Sequence, residues 1–96
     1  MNKLELIKSD FDDLNDILCK QYRNNYDCPI ARAFKRSFPE YKNICVSSYF
    51  IWRCEPGEYY KDRIAYIKGD SNNVHRCREL LLSGEKAYID IKFHTK

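Results

Sequence analysis

The sequence predicts an α+β fold, a small mostly antiparallel sheet of three to four strands with helices packed on one face. Residues 43–54 are rich in β-branched and aromatic side chains, which favours strands in the middle of the chain. Residues 86–93 alternate apolar and polar side chains, as in a strand with one buried face. Segments with helical spacing lie on both sides of the central strands, and this order favours α+β over a doubly wound α/β fold.

Length and charge predict one globular domain over residues 1–96. The chain has 96 residues, 44% hydrophobic and 32% charged, so a single core is expected. The net charge is +3, and the excess of Lys and Arg lies after residue 27. A DNA mimic would be strongly acidic, and a duplex-binding protein usually has a denser basic stripe than this chain offers.

The N-terminal third predicts a helix over residues 10–23. Leu4 and Leu6 precede it in a segment that is compatible with either a strand or a lead-in turn. Ser9 is a good N-cap, and the acidic residues after it suit the first turn of a helix. The apolar face of this helix would consist of Phe11, Leu14, Ile17 and Leu18, extended by Tyr22.

The best-specified element is a central helix within residues 27–39, DCPIARAFKRSFP. Asp27 is a candidate N-cap, Pro29 suits the first turn, and Pro39 ends the helix. Helical spacing predicts an apolar face of Ile30, Ala33, Phe34 and Phe38. The opposite face carries Arg32, Lys35 and Arg36.

The rest of the chain predicts strands over residues 44–47, 49–54 and 63–68, with turns near Ser47 and at residues 55–58. A helix over residues 72–82 follows, and Gly84 is placed to end it in the left-handed conformation. The apolar face of this helix would be Val74, Cys77 and Leu81, widened by Leu80 and Leu82. The strand over residues 86–93 closes the domain.

The five cysteines predict reduced thiols in a cytoplasmic protein. No two of them form a CxxC pair, and no N-terminal signal peptide is recognisable. No stretch approaches the ~20 apolar residues that span a bilayer, so no membrane association is expected. No metal site is predicted either, because His75 and Cys77 are spaced to point to different faces of a helix.

The sequence contains no arrangement of residues that indicates catalysis. Neither His75 nor His94 is flanked by a recognisable nucleophile or acid motif, and the three glycines are isolated turn residues. We therefore expect no enzymatic activity and no cofactor.

Binding is the function that the residue types favour. The candidate binding surface combines basic side chains with exposed aromatic ones, a combination that suits a protein interface or single-stranded nucleic acid. Its predicted residues are Arg32, Lys35, Arg36, Arg53, Tyr49, Tyr59 and Tyr60. A solvated helix face is the simpler interpretation of the same basic residues.

The CPIARAFKRSFP helix, a following β-hairpin, a second helix, a glycine turn and a last strand resemble a loose group of small bacteriophage proteins. The resemblance covers residues 27–93. The chain departs from the group at Ser47-Ser48, where a glycine turn is more usual, and in its additional N-terminal helix. The resemblance implies a viral origin, and it transfers no activity and no catalytic residue.

We expect a phage-type binding protein that engages and inhibits a host protein, as anti-defence or anti-CRISPR proteins do. Two alternatives remain open: a nucleic-acid-binding accessory or regulatory protein, and a sequestering protein for a small nucleotide signal.

Overall fold

The computed structural model describes residues 2–14, 27–47, 49–55, 58–69 and 73–94, with the backbone alone for residues 55 and 58–61. A 3-10 helix, two α-helices and five strands make up this part of the chain. In chain order they are β1 (Asn2–Leu6), the 3-10 helix (Lys8–Phe11), α1 (Pro29–Ser37), β2 (Ile44–Val46), β3 (Phe50–Glu55), β4 (Glu58–Ile67), α2 (Asn73–Leu82) and β5 (Ala87–Phe93).

The five strands form one sheet in the order β1-β5-β4-β3-β2, and every neighbouring pair is antiparallel. This confirms the predicted α+β fold, with more strands than the three to four expected. The additional strand is β1, which pairs with β5 at one edge of the sheet. Its Leu4 and Leu6 are fully buried, so the alternation of apolar residues resolves the N-terminal segment as a strand.

Helix α1 has the predicted apolar face but a different N-cap. Ile30, Ala33 and Phe34 are fully buried, as their helical spacing predicts. The N-cap is Cys28 rather than Asp27, because Pro29 takes the first position of the helix. The Asp27 carboxylate instead accepts a hydrogen bond from Arg32 Nε at 2.6 Å.

Helix α2 buries Val74, Cys77 and Leu81 against the sheet, as predicted. Leu82, which was expected to widen this face, is 71% exposed, since it lies on the side of α2 turned away from the core. Gly84 follows the helix with φ +82°, which confirms the left-handed turn that its position predicts.

The predicted N-terminal helix does not begin at Asp10. Residues 8–11 form a 3-10 helix, Asp12 is extended, and Asp13 turns the chain with φ 59°. Ser9 is thus inside a short helix instead of capping a long one. The rest of the predicted helix lies within residues 15–26, outside the described part of the chain.

The connection between β2 and β3 lies near Ser47, as predicted, whereas β4 is longer than predicted. The Ser47 N–H donates to the Phe50 carbonyl at 2.9 Å, which closes the connection between β2 and β3. Strand β4 begins earlier than the predicted residue 63, at Glu58, which pairs with Glu55 across the predicted turn. The register between β3 and β4 shifts twice, so the alternation of side chains along β4 is interrupted.

Cys45 and Cys54 are joined by a disulfide, so the prediction of five reduced thiols is wrong. The two residues lie on paired strands with their Cα atoms 6.2 Å apart, within reach of a disulfide. The two cysteines are nine residues apart in sequence, and the pairing of β2 with β3 brings them together. Cys77 is a buried free thiol, Cys28 is buried as well, and Cys19 lies outside the described residues. A cytoplasmic location therefore stays a prediction.

A single cluster of buried side chains joins both helices to one face of the sheet. Phe34 lies at its aromatic end, with ring centroids 4.9 Å from Phe38, 5.6 Å from Tyr41 and 6.0 Å from Phe93. The fully buried large side chains of the core are Phe34, Leu4, Leu6, Ile30, Ile44, Ile51, Ile89, Ile91, Val46, Val74 and Pro29. Among the described residues, neither α1 nor α2 packs on the opposite face of the sheet.

Candidate functional site

The predicted basic face of α1 is largely used inside the fold. Arg32 donates from Nε to the Asp27 carboxylate and from Nη1 to the Asp12 carbonyl, both at 2.6 Å. The same Nη1 lies 3.4 Å from the carbonyl of Ser9 and 3.3 Å from that of Asp10. Arg32 therefore ties the segment around the 3-10 helix to α1. The pair with Arg32 lowers the pKa of Asp27 below its ordinary value and raises the pKa of Arg32.

Arg36 is engaged in the same way. Its guanidinium forms a salt bridge with Asp10, whose side chain is only 3% exposed, and donates to the Glu5 carbonyl at 2.8 Å. Asp10 also accepts the Ile7 N–H at 2.8 Å. Two of the three predicted α1 cations thus hold β1 and the 3-10 helix in place. Replacing them with glutamate would put like charges against Asp10 and Asp27, and would not be neutral for stability.

The other predicted binding residues lie on the sheet. Arg53 is in β3 and bonds to Asp62 of β4 at 2.6 Å. Tyr49 lies just before β3 and is 52% exposed. Tyr59 and Tyr60 belong to β4, and their side chains lie outside the described part. The structure therefore brings Arg32, Lys35 and Arg36 together on α1 and puts Arg53 and Tyr49 on separate elements.

A group of aromatic and cationic side chains lies on the face of the sheet opposite α1 and α2. We call Phe50, Trp52, Arg63, Tyr66 and His94 the open-face cluster. The ring centroids of Phe50 and Trp52 are 5.7 Å apart, and the two ring planes meet at 64°. The Arg63 guanidinium lies 5.0 Å from the centroid of the Phe50 ring and 5.8 Å from that of the Trp52 ring. His94 lies 6.4 Å from Phe50 and 5.8 Å from Tyr66.

The register of the strands explains why these side chains meet. Phe50 pairs with Tyr66, and Trp52 pairs with Arg63, while Ile51 between them faces the core. Ile51 pairs with Ala65, so Ile64 is an extra residue in β4, a β-bulge. Without this bulge, Arg63 would share the core-facing side of Ala65. The bulge therefore directs Arg63 onto the open face.

The open face has more cations than acids among the described residues. Alternation along the strands puts Lys3, Lys68, Lys92 and Arg63 on this face, together with Glu5 and Asp90. Asp90 lies opposite Lys3 in the pairing of β1 with β5. Lys92 lies opposite Tyr66, and so the positive charge borders the aromatic side chains.

A cleft of about 400 Å³ opens beside this cluster. Two of the cluster residues, Arg63 and His94, line it as well. The remaining lining residues are Tyr41, Arg53, Asp62, Ile64 and Phe93.

The open-face cluster was not predicted from the sequence. The alternation of Phe50 and Trp52 with Ile51 was a usable signal, because it puts both rings on one face of a strand. Arg63 gave no such signal, since the bulge at Ile64 breaks the two-residue period. His94 follows the last strand, and only the pairing of its N–H with the Ile64 carbonyl at 2.9 Å brings it to the cluster.

Within the described ranges, no group of three or more His, Cys, Asp or Glu side chains is arranged to hold a metal ion. No helix in the same ranges has the length and apolar character needed to cross a membrane. Comparison with known proteins finds no match among protein-family models, curated proteins or solved structures.

Proposed function

We propose that this chain is a binding protein that docks a partner protein on its open-face cluster and inhibits that partner. The observation that supports this proposal is the set of aromatic and cationic side chains on a sheet face that neither α1 nor α2 covers. Trp, Tyr and Arg are the residue types that most often anchor protein interfaces. A rigid antiparallel sheet supports them, so little order has to be gained on binding.

The arrangement of the rings favours a protein over single-stranded nucleic acid. Bases bind by stacking on aromatic faces that are open to them. In this cluster, Arg63 lies over Phe50, and His94 is within 25° of parallel to the same ring at 6.4 Å. A base would have to displace one of these side chains. In addition, Arg32 and Arg36 already bind Asp27 and Asp10, so they contribute less to phosphate binding.

The charge of the open face indicates the character of the partner. Arg63, Lys68 and Lys92 surround the aromatic side chains, so the complementary surface is acidic at its rim and apolar at its centre. A phage origin, which stays a prediction from the sequence of residues 27–93, would make this partner a host protein. An inhibitor of the anti-defence or anti-CRISPR type acts by occupying such a surface.

Affinity capture from bacterial lysate, followed by binding measurements with the purified partner, tests the proposal. Tyr66→Ala should weaken binding by roughly 30-fold, as expected for an anchor residue. Tyr88→Ala is the matched control, because Tyr88 lies on the same face, in β5 opposite Glu5 of the edge strand, and is exposed. It should change affinity by less than about threefold.

Equal effects of the two tyrosine substitutions would count against the open-face cluster as the interface. Electrophoretic shift assays with single- and double-stranded DNA and RNA test whether the partner is a nucleic acid and not a protein. Tight binding to DNA or RNA, with an affinity that falls steeply with salt and is lost in Tyr66→Ala, would show that the partner of the open-face cluster is a nucleic acid.

A further inference from the structure

The Cys45–Cys54 disulfide lies on the open face, next to the open-face cluster. Ile44 and Val46 face the core, so Cys45 between them points to the opposite side of β2. The residue that pairs with Cys45 across the ladder is Trp52, and the bonded Cys54 is two residues further along β3. The bond therefore crosses diagonally from β2 to β3 beside the Trp52 side chain.

The connection between β2 and β3 helps to orient the indole of Trp52. The Trp52 Nε1–H donates to the hydroxyl of Ser47 at 3.0 Å, and Ser47 is buried. The Ser47 N–H donates in turn to the Phe50 carbonyl at 2.9 Å. On its other side the indole contacts the Phe50 ring. The orientation of Trp52 thus depends on how firmly β2 stays against β3.

Strand β2 is the shortest strand of the described sheet. It has three residues, Ile44–Val46, and lies at the edge of the sheet next to β3. Local opening of a protein requires less free energy than global unfolding, and so short a strand has few ladder hydrogen bonds to break. The cross-link opposes this opening, because it keeps Cys45 of β2 beside β3 when those hydrogen bonds break.

Reduction of the bond is a two-electron exchange with a dithiol. One thiolate of the dithiol attacks the sulfur of one cysteine, a mixed disulfide forms, and the other cysteine leaves as a thiolate and takes up a proton. The second thiol of the reductant then displaces the first cysteine, which takes up the second proton, and the dithiol becomes a disulfide. Cys45 is 3% and Cys54 2% exposed, so this exchange requires β2 to open.

We propose that the Cys45–Cys54 bond is a redox switch for the open-face cluster. The oxidised form holds Trp52 in the orientation that binds the partner, and reduction releases it. The effect on the partner rests on the proposed function, whereas the effect on Trp52 does not. Disulfides in cytoplasmic proteins are usually catalytic or redox-sensing, so the predicted location is compatible with a bond that is broken and re-formed.

Trp52 provides a measurement that needs no partner. It is the only tryptophan of the chain, so the tryptophan fluorescence reports on this side chain alone. The native protein is treated with dithiothreitol, a dithiol, and then, after removal of the dithiol, with oxidised glutathione. Peptide mapping after alkylation shows whether Cys45 and Cys54 have been reduced, and circular dichroism shows that the domain stays folded. Reduction should increase the quenching of Trp52 by acrylamide, and oxidised glutathione should reverse this increase.

Three variants separate the bond from other effects of the reductant. Cys45→Ser/Cys54→Ser should show the acrylamide quenching of the reduced wild type and should not respond to dithiothreitol. Cys77→Ala is the matched control, because it removes a buried thiol of α2 and should keep the response. Ser47→Ala removes the acceptor of the Trp52 Nε1–H, so quenching should increase although the bond is intact. If the double variant does not fold, reduction of the wild type decides the test.

Binding to the purified partner measures the consequence for function. Reduction should weaken binding by roughly tenfold, as expected if the competent orientation is populated about a tenth of the time. Equal affinities of the oxidised and reduced forms would overturn the switch and leave the interface in place. A bond that dithiothreitol does not reduce in the native protein, or unchanged quenching of Trp52 after reduction, would overturn it as well. A Tyr66→Ala variant that binds the partner as tightly as the oxidised wild type would instead count against the interface, and the quenching of Trp52 would still test the switch.

Discussion

Arg36→Met should destabilise the domain although the side chain is at the surface. The substitution keeps a side chain of similar length and apolar stem but removes the guanidinium. The Asp10 carboxylate would then lose both hydrogen bonds from Arg36 and keep only the one from the Ile7 N–H, at 2.8 Å. The Glu5 carbonyl would lose its bond from Arg36 at 2.8 Å as well.

The exposure of the two side chains sets the size of the effect. The Asp10 side chain is 3% exposed and that of Arg36 is 39% exposed. Removing one partner of a fully buried ion pair costs ~3–5 kcal/mol, whereas exposed pairs contribute ~0–1 kcal/mol. This pair lies between the two limits, because water reaches the guanidinium but hardly the carboxylate. We expect a loss of ~2 kcal/mol, which corresponds to a fall in Tm of roughly 10 °C for a domain of this size.

Thermal and urea unfolding, followed by circular dichroism without reductant, measures this loss. Arg76→Met is the matched control, because Arg76 is an exposed arginine of α2. It should change the free energy of unfolding by less than ~0.5 kcal/mol. A double-mutant cycle with Asp10→Asn should give a coupling energy of at least ~1 kcal/mol. Equal stabilities of Arg36→Met and Arg76→Met would refute a structural role for the Asp10–Arg36 pair.

Three further predictions concern the core, the disulfide and the pH dependence of stability. Phe34→Ala should cost ~3–5 kcal/mol in urea unfolding, because Phe34 is fully buried; an unchanged midpoint would contradict its place in the core. Reduction of Cys45–Cys54, which are nine residues apart, should cost ~2–3 kcal/mol, and denatured protein should alkylate at least two fewer cysteines without reductant than with it. The pKa of Asp27 is lowered by Arg32, so their pair stabilises the fold above about pH 4, the ordinary aspartate value, and this contribution is lost as the pH falls through the lowered pKa. Asp27→Asn should therefore reduce the fall in Tm on acidification while changing the free energy of unfolding at neutral pH by less than ~1 kcal/mol. An unchanged fall in Tm at acid pH would show that the Asp27–Arg32 pair does not cause it.

Much of the fold is encoded in short stretches of sequence. Pro29 and the spacing of Ile30, Ala33 and Phe34 are enough to predict α1, because a helix is made of contacts between residues three and four apart. Alternation over residues 86–93 predicts β5 equally well, and Gly84 predicts the left-handed turn before it. Each of these elements is formed by residues close together in sequence, so its own residues are enough to predict it.

The sequence also predicted that the chain carries basic and aromatic side chains suited to binding, but not where they would meet. Arg32 and Arg36 looked like a free surface because their acidic partners, Asp27 and Asp10, were assigned to other roles. The distance in sequence between Asp10 and Arg36 is 26 residues. Only packing of the 3-10 helix against α1 brings them together.

The candidate sites were decided by the pairing of strands. The bulge at Ile64 moves Arg63 to the open face, and the register of β2 with β3 joins Cys45 to Cys54. Neither the bulge nor the disulfide can be predicted from neighbouring residues alone. A shift of one residue in the strand register moves every side chain beyond it to the opposite face of the sheet. The sequence by itself therefore determined α1, α2, the last strand and the composition of the surface. The tertiary structure decided which cations stabilise the fold and which border the cleft, because the register between strands depends on the packing of the whole sheet.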